Sequence, residues 1–429
     1  MTEAFKSALS RRSFLRSAGA AGMAAASFPA LAAVPSAGVS QSARAVAENE
    51  RTGLLAQDDG LVSISMNEYP LGPAQSALQA MAATVETGNR YHGEIVQQTL
   101  SAALDLFSLN RGYAALFPGS TGALNLALMA HLGPDRPLIH ADPSYEQGPA
   151  AADVAGAPKF AVKLTKTHAH DVRAMVAATP KAGVYYIVNP NNPTGTVTPK
   201  QDIVWLLKHK PKGSVVIVDE AYHDFSNEES CIDLVAADQD IIVTRTFSKI
   251  YGMAGLRAGL MFAKPEYFQR MRALSPFAPS LASVSAATAA GANAVLLDKD
   301  LVPLRRKINA DNREATIAFL SGRGYSVLPG SQANFFMVDV RRPGGEFQNE
   351  MVGENVLVGR TWASMPTYVR VSVGTRSEMA RFQAAFVKCM DQAPAPANGA
   401  MLRGVPAYNS ALNPSELSRH AAWGGLALG

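Results

Sequence analysis

Lys249 stands in RTFSKIYGMAGLRAGL, residues 245 to 260, between a short β-type run and a stretch of glycine, alanine and small apolar residues. An ammonium in so crowded a frame needs a chemical reason. With a free pKa of about 10.4 it is mostly protonated at neutral pH and a poor nucleophile, but the free amine condenses with an aldehyde, and a neighbouring phenol can share the charge of that linkage. Three other stretches could serve an aldehyde ligand. NPNNPTG (189 to 195) closes the apolar run VYYIV, DEAYHDF (219 to 225) closes VVIVD, and GSTG (119 to 122) opens the helical segment ALNLALMAHLG. Each alone has an ordinary explanation as a turn, a cap or a helix start. In this order they supply a set of donors and acceptors.

Pyridoxal phosphate is the aldehyde cofactor that such a set suits. It needs an anion cradle for its phosphate, a carboxylate against its ring nitrogen, donors to its ring oxygen and an aromatic face for stacking. Ser120, Thr121 and Gly122, with Gly119, expose backbone N–H groups at a helix start, where aligned dipoles favour an anion. Thr246 and Ser248 add hydroxyls, and Arg257 adds a guanidinium suited to two-pronged phosphate binding. Asp219 could keep the ring nitrogen protonated, Tyr222 and Asn192 could bond the ring oxygen, and Tyr145, in ADPSYEQG, could lie over the ring.

The elements that must carry these residues follow from hydrophobic periodicity. LVSISM (61 to 66), RPLIHA (136 to 141), GVYYIVN (183 to 189), SVVIVDE (214 to 220), DIIVTRT (240 to 246) and AGLMFA (258 to 263) are short and often β-branched, as strands are. Amphipathic segments at 94 to 108, 122 to 132 and 199 to 209 lie between them. The alternation predicts an α/β fold with a largely parallel sheet flanked by helices, in which ligands gather at the carboxyl ends of strands.

Composition narrows the partners. The formal charge of +4 over 429 residues comes from scattered Lys and Arg, so no basic tract points to nucleic acid. Cys231 and Cys389 are too few for a disulfide framework or a cysteine zinc site, and no metal is expected. SRRSFLRSAGAAGMAAASFPALAA resembles a twin-arginine export signal, with Arg11 and Arg12 ahead of a weakly apolar run and Ala30-Leu31-Ala32 as cleavage site. Residues 1–32 are therefore expected to be a leader read by the twin-arginine machinery, which places the mature protein in the periplasm or otherwise outside the cytoplasm, with no stable membrane span. Residues 33–60 read as a linker or arm, and 393–429 as a Pro-, Ala- and Gly-rich tail.

NEYPLGP, RYHG, GSTGALNL, PSYEQG, NPNNPTG, DEAYHDF, TFSKIYGMAGLRAGL, SQANF and YVRVSVGT, in order from about Ser65 to Phe386, resemble the successive motifs of fold-type I pyridoxal-phosphate aminotransferases, most closely the histidinol-phosphate aminotransferase branch. The resemblance implies a large cofactor-binding domain (61–295), whose N-terminal segment contributes to a smaller C-terminal α/β domain (296–392). It implies Lys249 as the Schiff-base lysine, Arg370 as the receiver of a substrate α-carboxylate, and Tyr91 as a tyrosine that reaches the cofactor phosphate of a neighbouring subunit in a homodimer with a composite site. Asn334, Arg360 and Tyr69 are further substrate-contact candidates, the last at a position implied to line the pocket. The substrates would be an amino acid or related amine and a 2-oxo acid.

The match departs from the family in three places. Tyr69 replaces the usual Asn of Asn-Glu-Asn-Pro, His92 replaces a Pro, and Arg360 lies ten residues before Arg370. Histidinol phosphate is therefore not the favoured substrate. Alternatives with the same Lys249 and Asp219 are a decarboxylase resembling threonine-phosphate decarboxylase, a β-eliminating lyase or a racemase; a non-catalytic exported binding module is more remote.

Overall fold

The structure is a computed structural model, described here for residues 60–275 and 283–391. The expected leader, nearly all of the arm and the tail lie outside the described residues. Among the described residues eleven strands run in chain order: β1 Val62–Ile64, β2 Ala114–Phe117, β3 Leu138–Asp142, β4 Lys159–Lys163, β5 Val184–Val188, β6 Val215–Asp219, β7 Ile241–Thr246, β8 Gly259–Ala263, β9 Phe335–Asp339, β10 Val356–Val358 and β11 Tyr368–Ser372.

Seven of them form one sheet in the order β2-β8-β7-β6-β5-β3-β4. β8 runs antiparallel to both of its neighbours, and the other pairs are parallel. β5, β6, β7 and β8 are buried along their whole length, as continuous apolar runs must be when both faces of a sheet are covered. The helix Ser120–His131 packs Leu124, Ala127 and Leu128 into the core that also holds Val215, Ile217 and Met261. The amphipathic segments at 94 to 108 and 199 to 209 form the helices Gly93–Leu106 and Lys200–His209. β4 escapes apolar patterning because KFAVK is an edge strand with alternating exposure and lysine at both ends.

A second core draws on both ends of the described chain. β9 and β11 pair antiparallel, while β1 pairs parallel with β10, Val62 opposite Val356. Val62 and Ile64 thereby join Phe336, Phe347, Phe382 and Phe386 in one buried cluster. The domain boundary expected between residues 295 and 296 falls inside the helix Ala286–Leu297. Among the described residues no helix is long and apolar enough to cross a membrane, and no cluster of ligating side chains could hold a metal.

Candidate active site

Asp219 is the last residue of β6, paired in register with Val188 of β5 on one side and Thr244 of β7 on the other. This carboxyl end of the sheet opens into a cavity of about 710 Å³, whose lining includes Asp219, Lys249, Tyr145, Asn192, Tyr222 and Arg370. Among the described residues Lys249 is its only lining lysine. The two groups that would have to grip one ring therefore face one space.

Asp219 is buried. Its Oδ1 accepts from Thr244 Oγ1 at 3.0 Å and from the Ala221 N–H at 3.2 Å, and its Oδ2 from the Tyr186 hydroxyl at 3.5 Å. Burial pushes its carboxyl up to about 6, against the opposite pull of those bonds and of the Lys249 charge. The Lys249 ammonium donates to the Met66 carbonyl at 3.2 Å and lies 5.4 Å from the Tyr222 ring centre. The Tyr222 hydroxyl accepts from Asn67 Nδ2 at 3.1 Å. Asn67 is held at a φ of 54° by Ser372, which accepts from its N–H at 2.9 Å and donates to its Oδ1 at 2.8 Å.

Ser120 and Thr121 start the helix Ser120–His131, and they line the cavity with Thr246, Ser248 and Arg257. Gly119 precedes them at a φ of 88°, and a Cβ there would overlap the Arg257 guanidinium. Arg257 donates to Ser248 Oγ at 3.3 Å and to the Ala254 carbonyl at 2.7 Å, and Thr246 Oγ1 donates to Ser248 Oγ at 2.9 Å. A helix N-terminus, four hydroxyls and a guanidinium fit a phosphate group. Tyr145 supplies an aromatic wall, its phenol pushed up to about 12 by burial.

Elsewhere in the lining, Arg370 projects from β11. Its Nη1 donates to Asn192 Oδ1 and its Nη2 to the Ser65 carbonyl, both at 2.7 Å. Burial brings it down to about 10, so it stays cationic at neutral pH. Arg360 also lines the cavity, ion-paired to Glu146 and 4.7 Å from the Trp362 ring centre.

Residues 59–386 match the model for the family of class I and II aminotransferases. The chain belongs to that family. The aminotransferase is 33% identical over 333 residues to histidinol-phosphate aminotransferase 1 of Nitrosococcus oceani, covering 75% of this chain and 87% of the relative. It is 32% identical over 327 residues to the aromatic amino acid aminotransferase of Cutibacterium acnes, covering 75% and 90%. The solved histidinol-phosphate aminotransferase of Sinorhizobium meliloti in complex with pyridoxal-5'-phosphate superposes with a TM-score of 0.70 at 22% identity, over 83% of this chain and 96% of that one, which shows the shared fold. As a member of this family the protein is a pyridoxal-phosphate-dependent transaminase.

Four expected residues of the aminotransferase lie outside the cavity lining. Tyr69, implied as a pocket wall, is instead buried with its ring 4.6 Å from the Arg305 guanidinium and 6.2 Å from Phe225. Asn334 is buried and donates to the carbonyls of Asn67 at 3.0 Å and Glu68 at 3.1 Å, so it braces the segment that lines the site. Gly122 is exposed in the first turn of its helix. Tyr91 is 85% exposed, and the following His92 has a φ of 51°, which proline cannot adopt. Lining residues not anticipated include Asn67, Glu68 and Gln147, the last donating to the Thr121 carbonyl at 2.6 Å. NEYPLGP and PSYEQG already contain them.

Proposed function

We propose that this aminotransferase moves an amino group between an amino acid or related amine and a 2-oxo acid, with Lys249 and Asp219 as its catalytic pair. The observation that carries the proposal is that both line one cavity with Arg370. Pyridoxal phosphate, when bound, supplies an aldehyde for the substrate amine and a ring that accepts the electron pair left when Cα loses its proton.

In this reading Ser120, Thr121, Thr246, Ser248 and Arg257 hold the phosphate, while Asn192 and Tyr222 bond the ring oxygen and Tyr145 covers a ring face. The buried Asp219 keeps the ring nitrogen protonated, because a carboxylate shielded from water interacts strongly with a facing cation. Arg370 receives the substrate carboxylate on the N–H groups that Asn192 and Ser65 leave over, which fixes the orientation of Cα. Lys249, as a free amine, would take the proton from Cα as general base and deliver it as general acid to the cofactor carbon that carried the aldehyde, which leaves the amino group with the cofactor. Tyr222 and the Met66 carbonyl hold its amine at the cavity wall beforehand.

The reading includes export of the folded protein by the twin-arginine route, supported by Arg11, Arg12 and the Ala-rich run after them. It also includes a homodimer in which Tyr91 reaches the partner's cofactor phosphate; its exposure leaves it open to such a contact.

Mixing the cofactor-loaded protein with single L-amino acids, without an acceptor, tests the reaction type. At least one is expected to convert the cofactor to its amino form with release of the 2-oxo acid. Release of carbon dioxide, or no spectral change with any donor, would contradict it. Gly119→Ala tests the cradle. The strained φ and displaced Arg257 are expected to weaken cofactor binding to the apoprotein roughly ten- to a hundredfold, the worth of one charge-assisted contact, read by direct titration.

A further inference from the structure

Arg360 and Arg370 line the same cavity but differ in the charge of their partners, an amide and a backbone carbonyl for Arg370 and a carboxylate for Arg360. Arg370 spends one N–H of each terminal nitrogen on Asn192 and Ser65, and the second on each remains for a planar carboxylate. Arg360 instead gives Nη2 to the Glu146 carboxylate and lies over Trp362. The pair ties the entry to the helix Gln147–Val154 to the loop before β11, and Ser364 of that loop donates to Asp142 Oδ1 at 3.2 Å. With side chains 34% and 44% exposed, the ion pair adds little stability. Its effect is on charge: the Arg360 cation on the cavity wall is paired with the Glu146 carboxylate behind it, and the lining itself carries the carboxylates of Glu68 and Asp219.

We propose that the Arg360–Glu146 pair selects substrates with a single anionic group, the one received by Arg370, and an uncharged remainder. The inference deepens the proposed function and rests on its reading of Arg370. With Arg257 serving the cofactor phosphate and Arg370 the first carboxylate, a second carboxylate or a phosphate at the far end of a substrate must break the pair or sit near Glu146 and Glu68. An aromatic or aliphatic side chain meets no such cost. The same limit applies to donor and acceptor, which take turns in one cavity.

Two unreactive acids test this by calorimetry on the cofactor-loaded protein: 3-phenylpropanoate with one carboxylate and succinate with two. The wild type is expected to bind 3-phenylpropanoate more tightly. Glu146→Gln is expected to tighten succinate roughly ten- to a hundredfold, the worth of one freed charge-assisted contact, and to leave 3-phenylpropanoate unchanged. Adding Arg360→Leu should remove that gain. Equal affinities in the wild type, or a ratio indifferent to Glu146→Gln, would overturn the inference. Arg370→Leu separates the two levels. If it leaves both affinities unchanged, the reading of Arg370 and this inference fail together; if it weakens both while the ratio ignores Glu146, this inference alone fails.

Discussion

Lys249→Ala is expected to lower turnover by at least about 10³-fold, within the range that one positioned acid–base group contributes. The loss should be this large because, among the described residues, Lys249 is the only lysine in the cavity lining to carry its proton transfer. The variant removes a half-buried side chain whose contacts are one carbonyl and one ring face, so the fold should persist. Cofactor should still bind through Arg257 and the hydroxyls of the cradle. Single-turnover kinetics with an amino acid, together with cofactor titration, read the two effects apart. A variant that keeps more than about a tenth of wild-type turnover would remove Lys249 from the chemistry.

Asp219→Asn is expected to cost roughly 10²–10³ in turnover, as for loss of one preorganised electrostatic group, while the apoprotein becomes more stable at neutral pH. The two effects share a cause. Burial raises the Asp219 carboxyl to about 6 in the native apoprotein, from 3.8 in the unfolded chain. Between those values the native state binds more protons than the unfolded state, so stability falls as pH rises from about 4 to about 6, and the penalty is complete above 6. Asparagine has no charge to desolvate. At pH 8 the apo variant should exceed the wild type by an amount on the order of 3 kcal/mol, and the gap should close near pH 4. Urea unfolding at the two pH values measures it. An apo variant less stable than wild type at pH 8 would show that the carboxylate is not held against a desolvation cost.

How far these residues could be read before the structure depends on what kind of information places them. Asp219 and Thr246 end buried, β-branched runs, so a periodic pattern alone puts them at the carboxyl edge of the sheet. Lys249 follows the second run within one turn, and β5, β6 and β7 need only the parallel order to bring their ends together. Edge strands are less legible: β4 alternates too weakly, and β2 is only four residues long. Motif position identified Tyr69 but not the direction of its side chain, which the Arg305 and Phe225 contacts decide from 236 and 156 positions away. The Arg360–Glu146 pair spans 214 positions and the Asn67–Ser372 bonds span 305, so both depend on how distant parts of the chain are brought together. No local pattern encodes such a contact.

In the proposed function one amine, that of Lys249, holds the cofactor opposite Asp219. Borohydride reduction of the cofactor-loaded protein, followed by tryptic digestion and mass analysis, tests it most directly. The reduced cofactor is expected on Lys249, in a peptide running from Thr246 to Arg257 because trypsin cannot cut at the modified lysine. The mark on any other lysine, or a protein that binds the cofactor and yields no marked peptide, would contradict it.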